Sequence, residues 1–418
     1  MDTSVTLERF VRRRVVEALA DTRIVVLQGA RQVGKSTLAE VVARPREALV
    51  VTLDDPDARV FAETDPVGFV TQTPGKLLVI DELQRVPELV IAMKAAVDRD
   101  KRPGQFLVTG SANLLDLAAT HESLAGRAES VELHSFSQGE LSGIRSSFID
   151  ATFAGRSFTG FESALTRRDY IDRACAGGYP EALQRESAPR RKAWYDNYLS
   201  QIVRRDAADI TGLQRLAELP RILRLIAARS GATMVWSSLA NDTEIPRRTL
   251  EPYIRLLETL YLINVLPAWS ANLTSREVKQ PKVFLSDSGL AASLLGLTPE
   301  TATTAPAYAQ LGGLLEGFVV GELRRQIGWS EQQPTMGHYR DSRNTEVDIV
   351  LESPDGRVVA LEVKASATIQ RKDLTGLSHL RDRLGDRFLG GYIACTAPRA
   401  RLVGERLTML PIGALWQS

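Results

Sequence analysis

The feature that most constrains this chain is eight residues long: Gly29-Ala30-Arg31-Gln32-Val33-Gly34-Lys35-Ser36, followed by Thr37. It fits the pattern G-x-x-x-x-G-K-[ST]. An apolar run, Ile24 to Leu27, precedes it, and a helical stretch from Thr37 to Val42 follows. A strand, a glycine loop and a helix in that order make a phosphate cradle. The glycines let the backbone wrap around phosphate oxygens, and the amides and helix start supply positive potential. The pattern therefore predicts that the loop binds ATP, with Lys35 reaching the β- and γ-phosphates and the Ser36 hydroxyl on Mg2+.

The neighbouring sequence extends this reading. Leu49–Leu53, Leu77–Ile80, Phe106–Thr109 and Val131–Leu133 are further short apolar runs separated by helical segments. That alternation predicts an α/β fold, a parallel sheet with helices on both faces. Asp81-Glu82 closes the third run about 45 residues after the loop, the usual order for a magnesium-holding Asp and a Glu that activates water. At the end of the fourth run, Ser111 and Asn113 are candidates for contacting the γ-phosphate or the water; a plain helix N-cap is the alternative. Arg127 is a candidate arginine finger offered to a neighbouring subunit, or a surface arginine.

The remaining chain divides by pattern. At 418 residues it is too long for one ordinary domain. We expect an ATPase core over 1–135, a helical lid over 136–210, a winged-helix-like region over 211–300 and a final α/β domain over 308–418. The Thr/Ala/Pro-rich stretch Thr298–Pro306 is the best linker candidate. In the third region, Trp236–Ala240 and Arg247–Leu260 read as a helix pair turned at Ile245-Pro246, with Val265–Phe284 as a candidate β-wing. Arg247 and Arg248 would then open a recognition helix for DNA, unless the module serves protein contacts. The formal net charge is +1, so any nucleic-acid binding must come from such local patches.

In the last region Glu346–Leu351 and Val358–Lys364 read as adjacent strands. Glu362 and Lys364 share a face because the side-chain period is two, and Asp348 can join them from the next strand. Glu316, on a helix from Leu314 to Ile327, can add a fourth group. Carboxylates converging with a lysine suggest a second Mg2+ or Mn2+ site with Lys364 beside an attacked phosphate. A surface ion pair and a non-cutting binding fold are the alternatives.

Several classes are disfavoured. The two cysteines, Cys175 and Cys395, are far apart and read as reduced thiols, and the four histidines form no cluster, which argues against zinc. No apolar stretch follows Arg12-Arg13-Arg14 and none spans a bilayer, so a cytoplasmic protein without membrane contact is expected.

The set Gly29–Thr37, Leu77–Arg85, Thr109–Asn113 and Ser123–Arg127 resembles the prokaryotic AAA-superfamily ATPases with a C-terminal domain of unknown function 4143. Gly177-Gly178-Tyr179-Pro180-Glu181-Ala182-Leu183 fits that family and is similar to the Gly-x-Pro element of signal-transducing ATPases with numerous domains. The resemblance implies that Pro180 sits near the adenine at the start of a lid helix; a proline in a first helical turn is the plain alternative. The C-terminal residues resemble a PD-(D/E)xK nuclease core, with Val347 where that pattern has proline, and so imply a restriction-endonuclease-like domain. Together these imply ATP hydrolysis with a DNA-acting role, or alternatively a nucleotide-controlled switch that binds a protein partner. An arginine finger would imply a homo-oligomeric ring.

Overall fold

The computed structural model describes residues 7–110, 124–206, 216–271, 280–304 and 307–418. The chain forms two compact units, Met1–Ser135 with Thr259–Tyr261, and Phe136–Glu258 with Leu262–Ser418.

The first unit is built around a sheet whose central strands are apolar and buried, while its edge strands are partly exposed. Strands β1 (Ile24–Gln28), β2 (Ala48–Thr52), β3 (Leu77–Asp81), β4 (Phe106–Gly110) and β5 (Ala128–Glu132) lie in the order β2-β3-β4-β1-β5. Every neighbouring pair is parallel. Such a sheet needs crossovers, which helices α2 (Lys35–Ala43), α3 (Pro56–Thr64), α4 (Pro66–Thr71) and α5 (Leu89–Arg99) supply, while α1 (Arg12–Asp21) precedes β1. Their boundaries are chemical. Asp55 caps α3 by accepting from the amides of Asp57 and Ala58 at 2.9 and 3.0 Å, and proline follows at the position that needs no donor. Val15, Ala18 and Leu19 turn one face of α1 inward. In register, Gln28 lies opposite Gly110, and Ile80 opposite Val108. The carboxyl ends of β1, β3 and β4 therefore finish side by side, where open α/β sheets bind ligands. The expected parallel α/β sheet is present.

The second unit begins with helices, including Arg167–Ala176, Pro180–Leu183, Ala188–Gln201 and Leu219–Ala228. The expected helix pair forms as Trp236–Thr243 and Arg247–Thr259, with Leu250, Tyr253, Ile254 and Leu257 buried along one face. Strands β6 (Ile263–Leu266) and β7 (Lys282–Leu285) follow as an antiparallel pair. After the helix Tyr308–Ile327 comes a mixed six-stranded sheet made of β8 (Thr335–Arg340), β9 (Glu346–Glu352), β10 (Val358–Lys364), β11 (Phe388–Cys395), β12 (Arg401–Gly404) and β13 (Leu407–Pro411). Its order is β12-β13-β11-β10-β9-β8.

Strand β11 is not the last: β13 pairs with it in parallel, and β12 folds back on β13 through Arg406 at φ +54°. In the stretch read as a linker, Ala302 is fully buried and Thr298 and Thr301 are bonded to each other, while Glu300, Thr301, Thr303 and Thr304 are exposed. Short threonine-based turns satisfy their own backbone and can sit against a core. Among the described residues, no helix is long and apolar enough to cross a membrane.

Candidate functional site

The loop between β1 and α2 has the shape its glycines allow. Gly29 stands at φ +149°, and a Cβ there would lie 2.1 Å from the Leu133 carbonyl oxygen. Gly34 stands at φ +96° at the start of α2, a conformation that disfavours any side chain. Gln32 adopts φ +62° and is exposed, Ala30 and Val33 are buried, and Thr37 is exposed in the first turn of α2. Arg31 is half-buried. The Lys35 ammonium, 5% exposed, donates to the carbonyls of Gly29 and Ala30 at 2.9 and 2.8 Å. It thus sits on neutral acceptors within the loop itself.

Beside it, the Ser36 hydroxyl donates to Asp81 Oδ1 at 2.7 Å, and Thr109 donates to the same oxygen at 2.6 Å. Thr52 reaches Asp81 Oδ2 at 3.3 Å. These are hard oxygen donors, and Mg2+ is commonly held by such a hydroxyl and carboxylate together with phosphate oxygens and water. The donor set fits that ion. Glu82 follows at φ +59°, a left-handed conformation uncommon outside glycine and frequent at functional sites. Its amide donates to Thr109 Oγ1 at 3.1 Å, and Gln84 donates to its carboxylate. Burial raises the Glu82 carboxyl above its ordinary range; Asp81 adds to the rise and Lys35 opposes it.

Two residues here escaped the sequence reading. Thr109, fully buried, ties the ends of β3 and β4 together through Asp81 and Glu82. Its signal was a polar residue ending an apolar run. Arg9 donates to the Val33 carbonyl at 2.8 Å and to the His134 carbonyl at 2.5 Å, pinning the loop from outside. Nothing in its local sequence marks it.

Ser111 and Asn113 lie outside the described residues. Arg127 makes a two-pronged pair with Asp98, at 2.7 and 3.0 Å, and donates to the Ala125 carbonyl. Pro180 opens a helix in the second unit. The preceding glycines are required by close neighbours: a Cβ on Gly177 would come within 2.2 Å of the Asp287 carboxylate and one on Gly178 within 2.2 Å of the Phe136 carbonyl oxygen. The Gly178 amide donates to Asp287 at 2.9 Å.

In the second unit Glu316 and Asp348 converge on a lysine that the sequence reading did not include, and Glu362 joins them through Asp348 and Lys364. The Lys282 ammonium donates to Glu316 Oε1 at 2.7 Å and to Asp348 Oδ1 at 3.0 Å. Lys282 is 2% exposed, on strand β7. Lys364 pairs with Glu362 at 3.1 Å, and the Val363 amide donates to Asp348 Oδ2 at 3.0 Å. Burial pushes Glu316 up to about 8, with Asp348 adding and Lys282 opposing. Burial and the neighbouring Asp348 also hold Glu362 well above the usual carboxylate range. Burial acts the same way on Asp348, yet Lys282 and the Val363 amide keep that carboxyl low. Among the described residues, no group of His, Cys, Asp and Glu side chains is arranged as a metal site. A divalent ion does not fit a cluster whose carboxylates already share a buried ammonium.

An AAA domain model matches residues 21–142, a domain of unknown function (DUF8612) matches 167–301, and a domain of unknown function (DUF4143) matches 311–415. The chain is 28% identical over 356 residues to Uncharacterized protein Rv2008c of Mycobacterium tuberculosis and equally to Uncharacterized protein Mb2031c of Mycobacterium bovis. Each alignment covers 85% of this chain and 73% of the relative. Among solved structures, a Walker-type ATPase of Pyrococcus abyssi superposes with a TM-score of 0.42 at 15% identity, covering 69% of this chain and 96% of that one. An AAA domain thus surrounds the phosphate loop, and a DUF4143 domain lies over 311–415.

Proposed function

We propose that the chain binds Mg·ATP on residues 29–37, hydrolyses it, and couples the nucleotide state to DNA. One observation carries the first part: Lys35, Ser36, Asp81 and Glu82 converge at the carboxyl ends of β1 and β3. Lys35 exchanges its two carbonyl acceptors for phosphate oxygens. Ser36 and Asp81 would hold the magnesium, which when bound supplies charge neutralisation on the β- and γ-phosphates. Glu82 orients the attacking water and takes its proton, and Thr109 keeps Asp81 and Glu82 in register. Arg127 could serve a neighbouring subunit only after leaving Asp98, so a ring would require that pair to open.

For the DNA part, Arg247, Arg248 and Arg255 are exposed on one helix of the helix pair, where a recognition helix would present them. We read 136–210 as a lid, 211–300 as winged-helix-like and 308–418 as nuclease-like in fold. One observation favours the rival reading, a switch that grips a partner and cuts nothing: the C-terminal carboxylates are already ion-paired. Phosphate release measured with and without duplex DNA decides between them. Turnover lost in Lys35→Ala and stimulated by DNA supports the proposal. A DNA response that survives Arg247→Glu/Arg248→Glu would remove the DNA contact from that helix. Hydrolysis untouched by Lys35→Ala would refute the nucleotide site.

A further inference from the structure

We propose that Lys282 is a resident cation occupying the place of a divalent ion among Glu316, Asp348 and Glu362, so that the C-terminal sheet binds without cutting. This goes beyond the nucleotide reading and does not rest on it. The ammonium is delivered by a strand held on both sides. Lys282 lies opposite Leu266 on β6 and is bridged to Thr233, and the preceding Pro281 carbonyl accepts from the Met234 amide at 2.7 Å. Its contacts, 2.7 Å to Glu316 and 3.0 Å to Asp348, are ammonium distances. A magnesium ion would instead need oxygens at about 2.0–2.1 Å in an octahedron.

The remaining sides are closed by the chain itself. The Val363 amide occupies Asp348 Oδ2, and Lys364 occupies Glu362. Gly231 packs so tightly on Glu316 that a Cβ there would lie 2.7 Å from Oε2. The lysine comes from a segment outside the DUF4143 match, while all three carboxylates lie inside it. A polar cluster of this kind links two stretches of chain by charge.

The test uses Mn2+ alone on the full, nucleotide-free chain, with free Mn2+ followed by electron paramagnetic resonance. We expect the native chain and Asp348→Asn/Glu362→Gln to take up Mn2+ equally; lower uptake by the double variant overturns the proposal. Lys282→Met should gain Mn2+ binding at least about tenfold tighter than the native chain, and adding Asp348→Asn should erase the gain. A Lys282→Met protein with native circular dichroism and no gain overturns it as well. Where Lys282→Met does not fold, the native and double-variant comparison decides alone. Asp348-dependent scission of DNA with Mn2+ also overturns the proposal.

Discussion

Two lysines, Lys35 and Lys282, are both nearly buried, and their partners differ in one respect. Lys35 rests on two main-chain carbonyls, whereas Lys282 rests on two carboxylates. A carbonyl is neutral, so an arriving phosphate offers Lys35 a better partner at little loss. A buried carboxylate is a charge that must stay paired, so Lys282 cannot leave without stranding Asp348, the member of the cluster held low. The first arrangement leaves the ammonium able to change partners. The second is an ion pair already satisfied. Counting lysines and carboxylates near one another does not separate these cases; the formal charge of the acceptor does.

The comparison can be broken in order of expected effect. Lys282→Met should destabilise the protein most, by about 3–5 kcal/mol, because it leaves the buried Asp348 carboxylate uncompensated. Urea unfolding followed by circular dichroism reads this directly, and a loss under about 1 kcal/mol would mean that the cluster tolerates its lysine's absence. Lys35→Ala should leave unfolding nearly unchanged and cut ATP turnover by about a hundredfold or more. If that variant instead unfolds early, the fold depends on Lys35 as it does on Lys282, and the contrast fails.

Glu82→Gln should retain nucleotide binding by calorimetry while turnover falls by about a hundredfold. Near-native hydrolysis would take the proton-accepting role from Glu82. A smaller change, about tenfold in turnover, is expected for Thr109→Val, which breaks the link between Asp81 and Glu82 without touching Lys35. Last, the pH profile should have its acid limb above the ordinary carboxylate range, since burial raises Glu82 and the group must be ionised to accept a proton. Turnover then rises with pH through that limb and levels off. A limb at the value of an exposed glutamate would argue that another group accepts the proton.

Much of the first unit was legible because its chemistry is contiguous in sequence. A phosphate loop needs glycines, lysine and serine in a row, and a parallel sheet writes its strands as apolar runs. Thr109 and Arg9 were not legible for the opposite reason. Each acts through a residue distant in sequence, Thr109 on Asp81 and Arg9 on Val33 and His134. In the second unit, strand periodicity placed Asp348, Glu362 and Lys364 together. Lys282 stands 34 residues before Glu316 and 66 before Asp348, at the mouth of an apolar run where a charged residue reads as a solvated strand end. The hairpin Arg401–Pro411 was missed because its strands are only 4 and 5 residues long. Alternation cannot be recognised over so short a span.

Asp287 accepts from the amides of Gly178, Gly289 and Leu290 and from the Tyr195 hydroxyl, and it is almost fully buried. One carboxylate therefore clamps the entrance of the helix Pro180–Leu183, the start of Ser288–Leu295 and the side of Ala188–Gln201. These three segments cannot hinge independently while that clamp holds. A displacement of one is carried to the others as a stiff linkage carries motion, with Asp287 as its pin.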